Sequence, residues 1–260
     1  MKTRGASLTR DGVFLFAAVV MAACLAAFPM TAAADVIGGG SMTITAQNTS
    51  TGGTGSRTYT LTETSPGSGV MIWSSAKASE QEILDGLGNY LGLVKSLECG
   101  YEGDPEVRLK FAVVAGGSDT VFTIPSLAVS FAAMTNPRGL ASASITVTSG
   151  TAAASATGQY SGEKAYTAIY NGTTNWAYLV DSVTAPPGDS VTGSQRRPVL
   201  PTVDEVIPAN VSSIQAAYSF KLTAGDEASG TSRFFITPEP ATLGLMGLGL
   251  AMMLRRRRAR

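Results

Sequence analysis

The chain of 260 residues contains no histidine and only two cysteines. Without imidazole there is no Ser-His-Asp or Cys-His catalytic machinery and no zinc site of the histidine type. Aromatic residues make up 7% of the chain and charged residues 15%, while glycine reaches 29 residues. Uninterrupted apolar runs occur only near the two ends. Net charge is zero overall, but the charges are distributed unevenly. Between residues 35 and 237 lie seventeen acidic and eleven basic side chains, a balance of −6. That excess favours solubility and argues against nucleic acid as a partner, since a nucleic-acid face is basic.

At the N-terminus, Lys2, Arg4 and Arg10 precede an apolar stretch over 13–28, and Thr31, Ala32, Ala33 and Ala34 supply small residues before Asp35. This is the layout of a secretory signal peptide over 1–34, cleaved after Ala34. An alternative reading takes Met21-Ala22-Ala23-Cys24 as a lipoprotein box with Cys24 acylated. On the first reading Cys99 is the one cysteine kept, so no intramolecular disulfide forms although an oxidising compartment would allow one. In the context Glu98-Cys99-Gly100-Tyr101 it reads as a small buried hydrophobe.

Residues 35–237 show repeated period-two stretches broken by turn formers, the pattern of an antiparallel β-sandwich of jelly-roll-like type. Strands are expected over 42–47, 57–62, 70–73, 107–115, 120–124, 127–131, 143–148, 165–170, 176–180, 213–222 and 232–236. Asn171-Gly172 signals a hairpin between two of them. One helix is expected to interrupt the strands. Ser79-Glu80-Gln81-Glu82 is a capping-box pattern, and Ile83, Leu84, Leu87, Leu91, Val94 and Leu97 follow at helical spacing. Gly86, Gly88 and Gly92 weaken that helix by about 1 kcal/mol each. The proline-rich segment 186–208 reads as a surface loop.

Two groups of residues invite a functional reading. Glu98, Glu102, Asp104 and Glu106 form the densest acidic group, read first as a solvated turn, with calcium binding or glycosidase-type acid–base work as alternatives. Tyr166 and Tyr170 share strand parity, as do Trp176 and Tyr178 on the next strand, so the four are candidate glycan contacts; sheet-stabilising aromatic pairs are the plainer account. Neither group points to a catalytic residue, a metal or a cofactor, and the chain reads as non-enzymatic.

The end of the sequence carries the strongest signal. Pro238-Glu239-Pro240 is a stiff extended marker. The apolar run 241–254 follows, then Arg255, Arg256, Arg257, Arg258 and Arg260. As a helix, the 14 apolar residues rise about 21 Å against a hydrocarbon core of roughly 30 Å, short for a permanent span. The basic cluster holds such a run with its end on the cytoplasmic side. Pro238 to Leu245 (Pro-Glu-Pro-Ala-Thr-Leu-Gly-Leu), the Gly/Leu/Met helix and the arginines together resemble the PEP-CTERM sorting signal of exported bacterial proteins. The resemblance implies recognition by a membrane transpeptidase-like exosortase after signal peptidase has acted, a transient stay in the inner membrane, and delivery to the cell surface or extracellular matrix. The organisation expected is therefore signal peptide 1–34, β-sandwich 35–237 and sorting signal 238–260. Matrix polysaccharide is the alternative partner of the sandwich.

Overall fold

The computed structural model describes residues 40–61, 70–74, 81–102 and 105–238. The expected leader, including Cys24, and the sorting tail from Glu239 onward lie outside these residues. The first nine strands are β1 (Gly40–Asn48), β2 (Thr54–Leu61), β3 (Val70–Ser74), β4 (Gln81–Leu84), β5 (Tyr90–Glu102), β6 (Glu106–Ala115), β7 (Thr120–Pro125), β8 (Val129–Thr135) and β9 (Arg138–Thr148). There follow β10 (Ala154–Gly158), β11 (Tyr166–Tyr170), β12 (Thr174–Leu179), β13 (Val183–Ala185), β14 (Ser190–Arg197), β15 (Glu205–Val206), β16 (Asn210–Leu222) and β17 (Glu227–Thr237).

These strands form two antiparallel sheets. The first runs β12-β11-β16-β7-β1-β2, with β8 and β10 also pairing with β16 and β13 pairing with β10; the second runs β14-β9-β17-β6-β5-β3, with β15 beside β9 and β4 beside β5. Period-two burial explains the packing. Val107, Leu109, Phe111 and Val113 of β6 point inward, as do Ala141, Ala143, Ile145 and Val147 of β9. They meet Tyr218, Phe220 and Phe122 of the facing sheet: Phe111 stacks on Phe220 at 5.8 Å and meets Tyr218 edge-on at 4.9 Å. Aromatic contacts of this geometry add to area burial, and here they join the layers of the sandwich.

The helix expected from residue 83 onward does not form; β4 and β5 occupy that stretch as a hairpin. Gly88, at φ +86°, closes the turn, while Asp85 accepts hydrogen bonds from the Leu87 and Asn89 amides. The helical spacing of Leu91, Val94 and Leu97 has a strand origin. The β5–β6 register slips between Val94 and Ser96, with Lys95 as the extra residue. This bulge shifts the inward set from Gly92 and Val94 to Leu97, Cys99 and Tyr101. A second one, which leaves Leu91 as the extra residue between the pairs Ile83–Gly92 and Leu84–Tyr90, adds the buried Leu91, so that period two takes on an apparent period of three. Gly92 belongs to the core packing: a Cβ there would stand 2.8 Å from the Phe122 ring and 2.6 Å from the Val114 carbonyl oxygen. Cys99 is fully buried and donates to the Tyr101 hydroxyl at 2.9 Å. Burial pushes its thiol up to about 11, so it is inert at neutral pH.

The segment 186–208 is also more ordered than a loop. It contains β14, paired along its whole length with β9, and β15, paired with Gly139 and Arg138.

Candidate functional site

The four aromatic candidates are placed on β11 and β12, but they do not form one surface. Tyr166 is fully buried and lies in register with Tyr218, their rings 5.1 Å apart edge to face. Tyr170, on the same side of β11, is partly buried at the margin of the core. Between the pairs Ala168–Ala177 and Ile169–Asn175 the register skips Trp176, which is therefore the extra residue of a bulge on β12. The bulge breaks the parity that would have put Trp176 and Tyr178 on one face. Trp176 turns inward, 7% exposed, and stacks on Phe234 at 5.4 Å and 18°. The Arg197 guanidinium lies 4.9 Å from its ring centroid, donates to the Trp176 carbonyl oxygen, and is paired with Glu205 at 2.8 Å. Tyr178 alone among the four is exposed, resting against Tyr160 at 6.2 Å. What this arrangement does chemically is stabilise a sheet edge.

The acidic group divides in the same way. Glu98 and Glu102 lie on β5 rather than in a turn, and Glu98 faces Lys110 at 3.9 Å. The side chain of Glu102 and the whole of Asp104 lie outside the described residues. Glu106 is not solvated. Its side chain is 4% exposed; Arg233 of β17 grips both carboxylate oxygens at 2.6 and 2.7 Å, and Arg108 reaches one of them at 2.5 Å. Burial raises its pKa, but hydrogen bonds from Arg233 and Arg108 outweigh that and hold the carboxyl below the ordinary range. Among the described residues no cluster of three or more acidic or cysteine side chains forms a metal site. Glu106 instead ties β6 to β17 between two arginines that face each other across the ladder.

This gives a pH-dependent expectation. A depressed carboxylate contributes stability that is present above its ordinary pKa and lost as pH falls through the lower folded value. Glu106→Gln should therefore cost about 1–3 kcal/mol near pH 7, the range for hydrogen bonds between charged groups. The gap between variant and native protein should narrow below about pH 4. Urea unfolding at pH 7 and pH 3 measures both; an equal gap at the two pH values would contradict the assignment.

The remaining feature is the place where the chain leaves the fold. β17 is paired with β6 through Phe235 and with β9 to its end at Thr237, and the Ile236 amide donates to the Pro105 carbonyl oxygen at 3.0 Å. Pro238 is exposed and unpaired in the ladder. Glu239, Pro240 and Arg255, Arg256, Arg257 and Arg258 lie outside the described residues. Strand order thus stops where the stiff Pro-Glu-Pro segment begins. Gly40, the first described residue, lies at the same end as Thr237: β1 pairs with β7 at Asn48, beside the β16–β17 turn, and runs back from there to Gly40.

Sequence reasoning passed over Arg197, Glu205 and Arg233 as structural partners: Arg233 reaches Glu106 across 127 residues, and Arg197 and Glu205, eight apart, meet only because β14 and β15 both pair with β9. The register along β9, β14 and β17 is what brings them together.

Comparison with known proteins bears mainly on the tail. No curated protein matches the sequence. Among solved structures the chain is similar to TmCBM61 in complex with β-1,4-galactotriose, at 12% identity, over 66% of this chain and 90% of that one, with a TM-score of 0.26. Residues 237–258 match the family described as PEP-CTERM protein-sorting motif. The match starts at the last residue of β17, so the chain is a β-sandwich followed directly by a PEP-CTERM sorting tail.

Proposed function

We propose that this is a non-enzymatic exported protein of the cell surface or extracellular matrix, delivered by signal peptidase and an exosortase, with the sandwich as its lasting part. The observation that carries the reading is the sorting motif at 237–258, which begins where β17 ends. Cleavage beyond Pro240 leaves every described strand, β17 included, intact.

The inner membrane is a partner only while the tail is in place. The apolar run is short, and the arginines behind it add roughly 1 kcal/mol each of attraction to an anionic leaflet. Replacing Arg255, Arg256, Arg257 and Arg258 by Asn is expected to lower membrane retention and tail processing together, measured by fractionation and immunoblotting of pulse-labelled cells. Unchanged processing would show that the basic cluster is not read. The alternative partner, matrix polysaccharide, now has only Tyr178 as an exposed member of its aromatic group, which is why a scaffold role ranks above glycan binding.

A further inference from the structure

Apart from Tyr178 and Val206, the large apolar side chains exposed among the described residues fall in two clusters. Leu84, Leu87 and Tyr90 flank the β4–β5 turn; Val199, Leu200 and Val203, at 76, 66 and 67% exposure, occupy the loop 198–204 between β14 and β15. The second loop is held open by its own hydrogen bonds. Arg196 donates through Nε to the Pro198 carbonyl oxygen at 3.0 Å and through Nη2 to the carbonyl oxygens of Thr202 and Val203 at 3.2 Å each. One guanidinium thus gathers the carbonyls of both limbs while the apolar side chains face outward. The acidic neighbours are matched: Asp204 by Arg138 at 2.6 Å and Glu205 by Arg197 at 2.8 Å. With Arg196, these five side chains around the loop sum to +1 in a domain of −6.

The two clusters differ in their relation to the tail. Val206 pairs with Arg138, and Arg138 pairs with Thr237, so the loop's distal end and the chain exit lie two strand spacings apart, about 10 Å. From Thr237 the apolar run begins four residues on, at most about 14 Å of extended chain. The Leu84, Leu87 and Tyr90 cluster lies at the far end, where Gly92 pairs with Ala115 and Val114 with Glu227. The 11 residues of β17 put roughly 33 Å between the ends.

We infer that the loop 198–204 rests on the surface of the lipid bilayer while the sorting tail is inserted, with Val199, Leu200 and Val203 in the headgroup region. The inference depends on the tail reading above. A lipid surface suits the patch because the chain beyond Thr237 enters the bilayer within reach of it, and because apolar side chains beside excess arginine charge are what an anionic interface retains. The contact would fix the orientation of the sandwich against the membrane.

The test uses residues 35–260, the chain that signal peptidase would leave, reconstituted with vesicles of phosphatidylethanolamine and phosphatidylglycerol. Leu200→Cys or Leu87→Cys carries an environment-sensitive fluorophore; Cys99, being buried, takes none. Vesicle lipids bearing brominated acyl chains should quench the probe at 200 several-fold more than the probe at 87. Val199→Asp with Val203→Asp should abolish that difference while the protein still co-floats with vesicles. Co-flotation reports the tail separately. If it is absent, the tail reading fails and the inference with it. If it is present and the two probes are quenched equally, the tail reading stands, the inference is overturned, and the loop is left to a protein partner.

Discussion

Trp176→Ala is expected to destabilise the sandwich by about 3–5 kcal/mol, as truncations of large core side chains do. The ring is nearly buried, stacks on Phe234 and lies under the Arg197 guanidinium, so its removal opens a cavity and frees an ion pair that now packs on it. Trp176→Phe gives a sharper control. The Nε1 atom is buried without a hydrogen-bond partner among the described residues, so phenylalanine discards an unsatisfied donor while keeping most of the stack. That variant should cost less than about 1.5 kcal/mol. Denaturant unfolding measures both, and polysaccharide binding assayed in parallel should show no loss specific to Trp176→Ala. A Trp176→Ala protein within about 0.5 kcal/mol of native stability that no longer binds matrix glycan would reverse the ranking and make the domain a carbohydrate-binding module.

The same residue shows how far the sequence could be read. Strand parity on β11 was legible: Tyr166 and Tyr170 share the inward side because nothing interrupts the alternation between them. On β12 the bulge at Trp176 depends on how Ala168 and Ile169 pair across the ladder, a property of two strands that one of them does not encode. The false helix has the same origin. Lys95 is an extra residue only with respect to β6, and Leu91 only with respect to β4; without those partners the spacing of Leu91, Val94 and Leu97 reads as helical. β6, β9, β16 and β17 were legible as strands because their inward residues are apolar and alternate within each strand. β14 was hidden, since as an edge strand it matches hydroxyls: Thr192 with Thr146 at 2.7 Å and Ser190 with Thr148 at 2.8 Å. Glu106 looked solvated because the partner that buries it, Arg233, stands 127 residues away.

The tail was legible as a PEP-CTERM motif because such a motif is linear: residues 237–258 match in sequence order, with no pairing register between the residues and the reading. It also sets the second large effect expected here, an all-or-none change in covalent mass. The sandwich is closed by β17 at Thr237, and cleavage beyond it leaves every described strand intact. Processing should therefore run to completion in cells that have the sorting enzyme.

Intact-mass measurement of the protein recovered from the cell surface tests the central claim most directly. The expected product begins near Asp35 and lacks the residues beyond Pro240, including the whole apolar run and the arginines. Surface protein that still carries Arg260 would contradict the sorting account and leave residues 238–260 as a permanent membrane anchor.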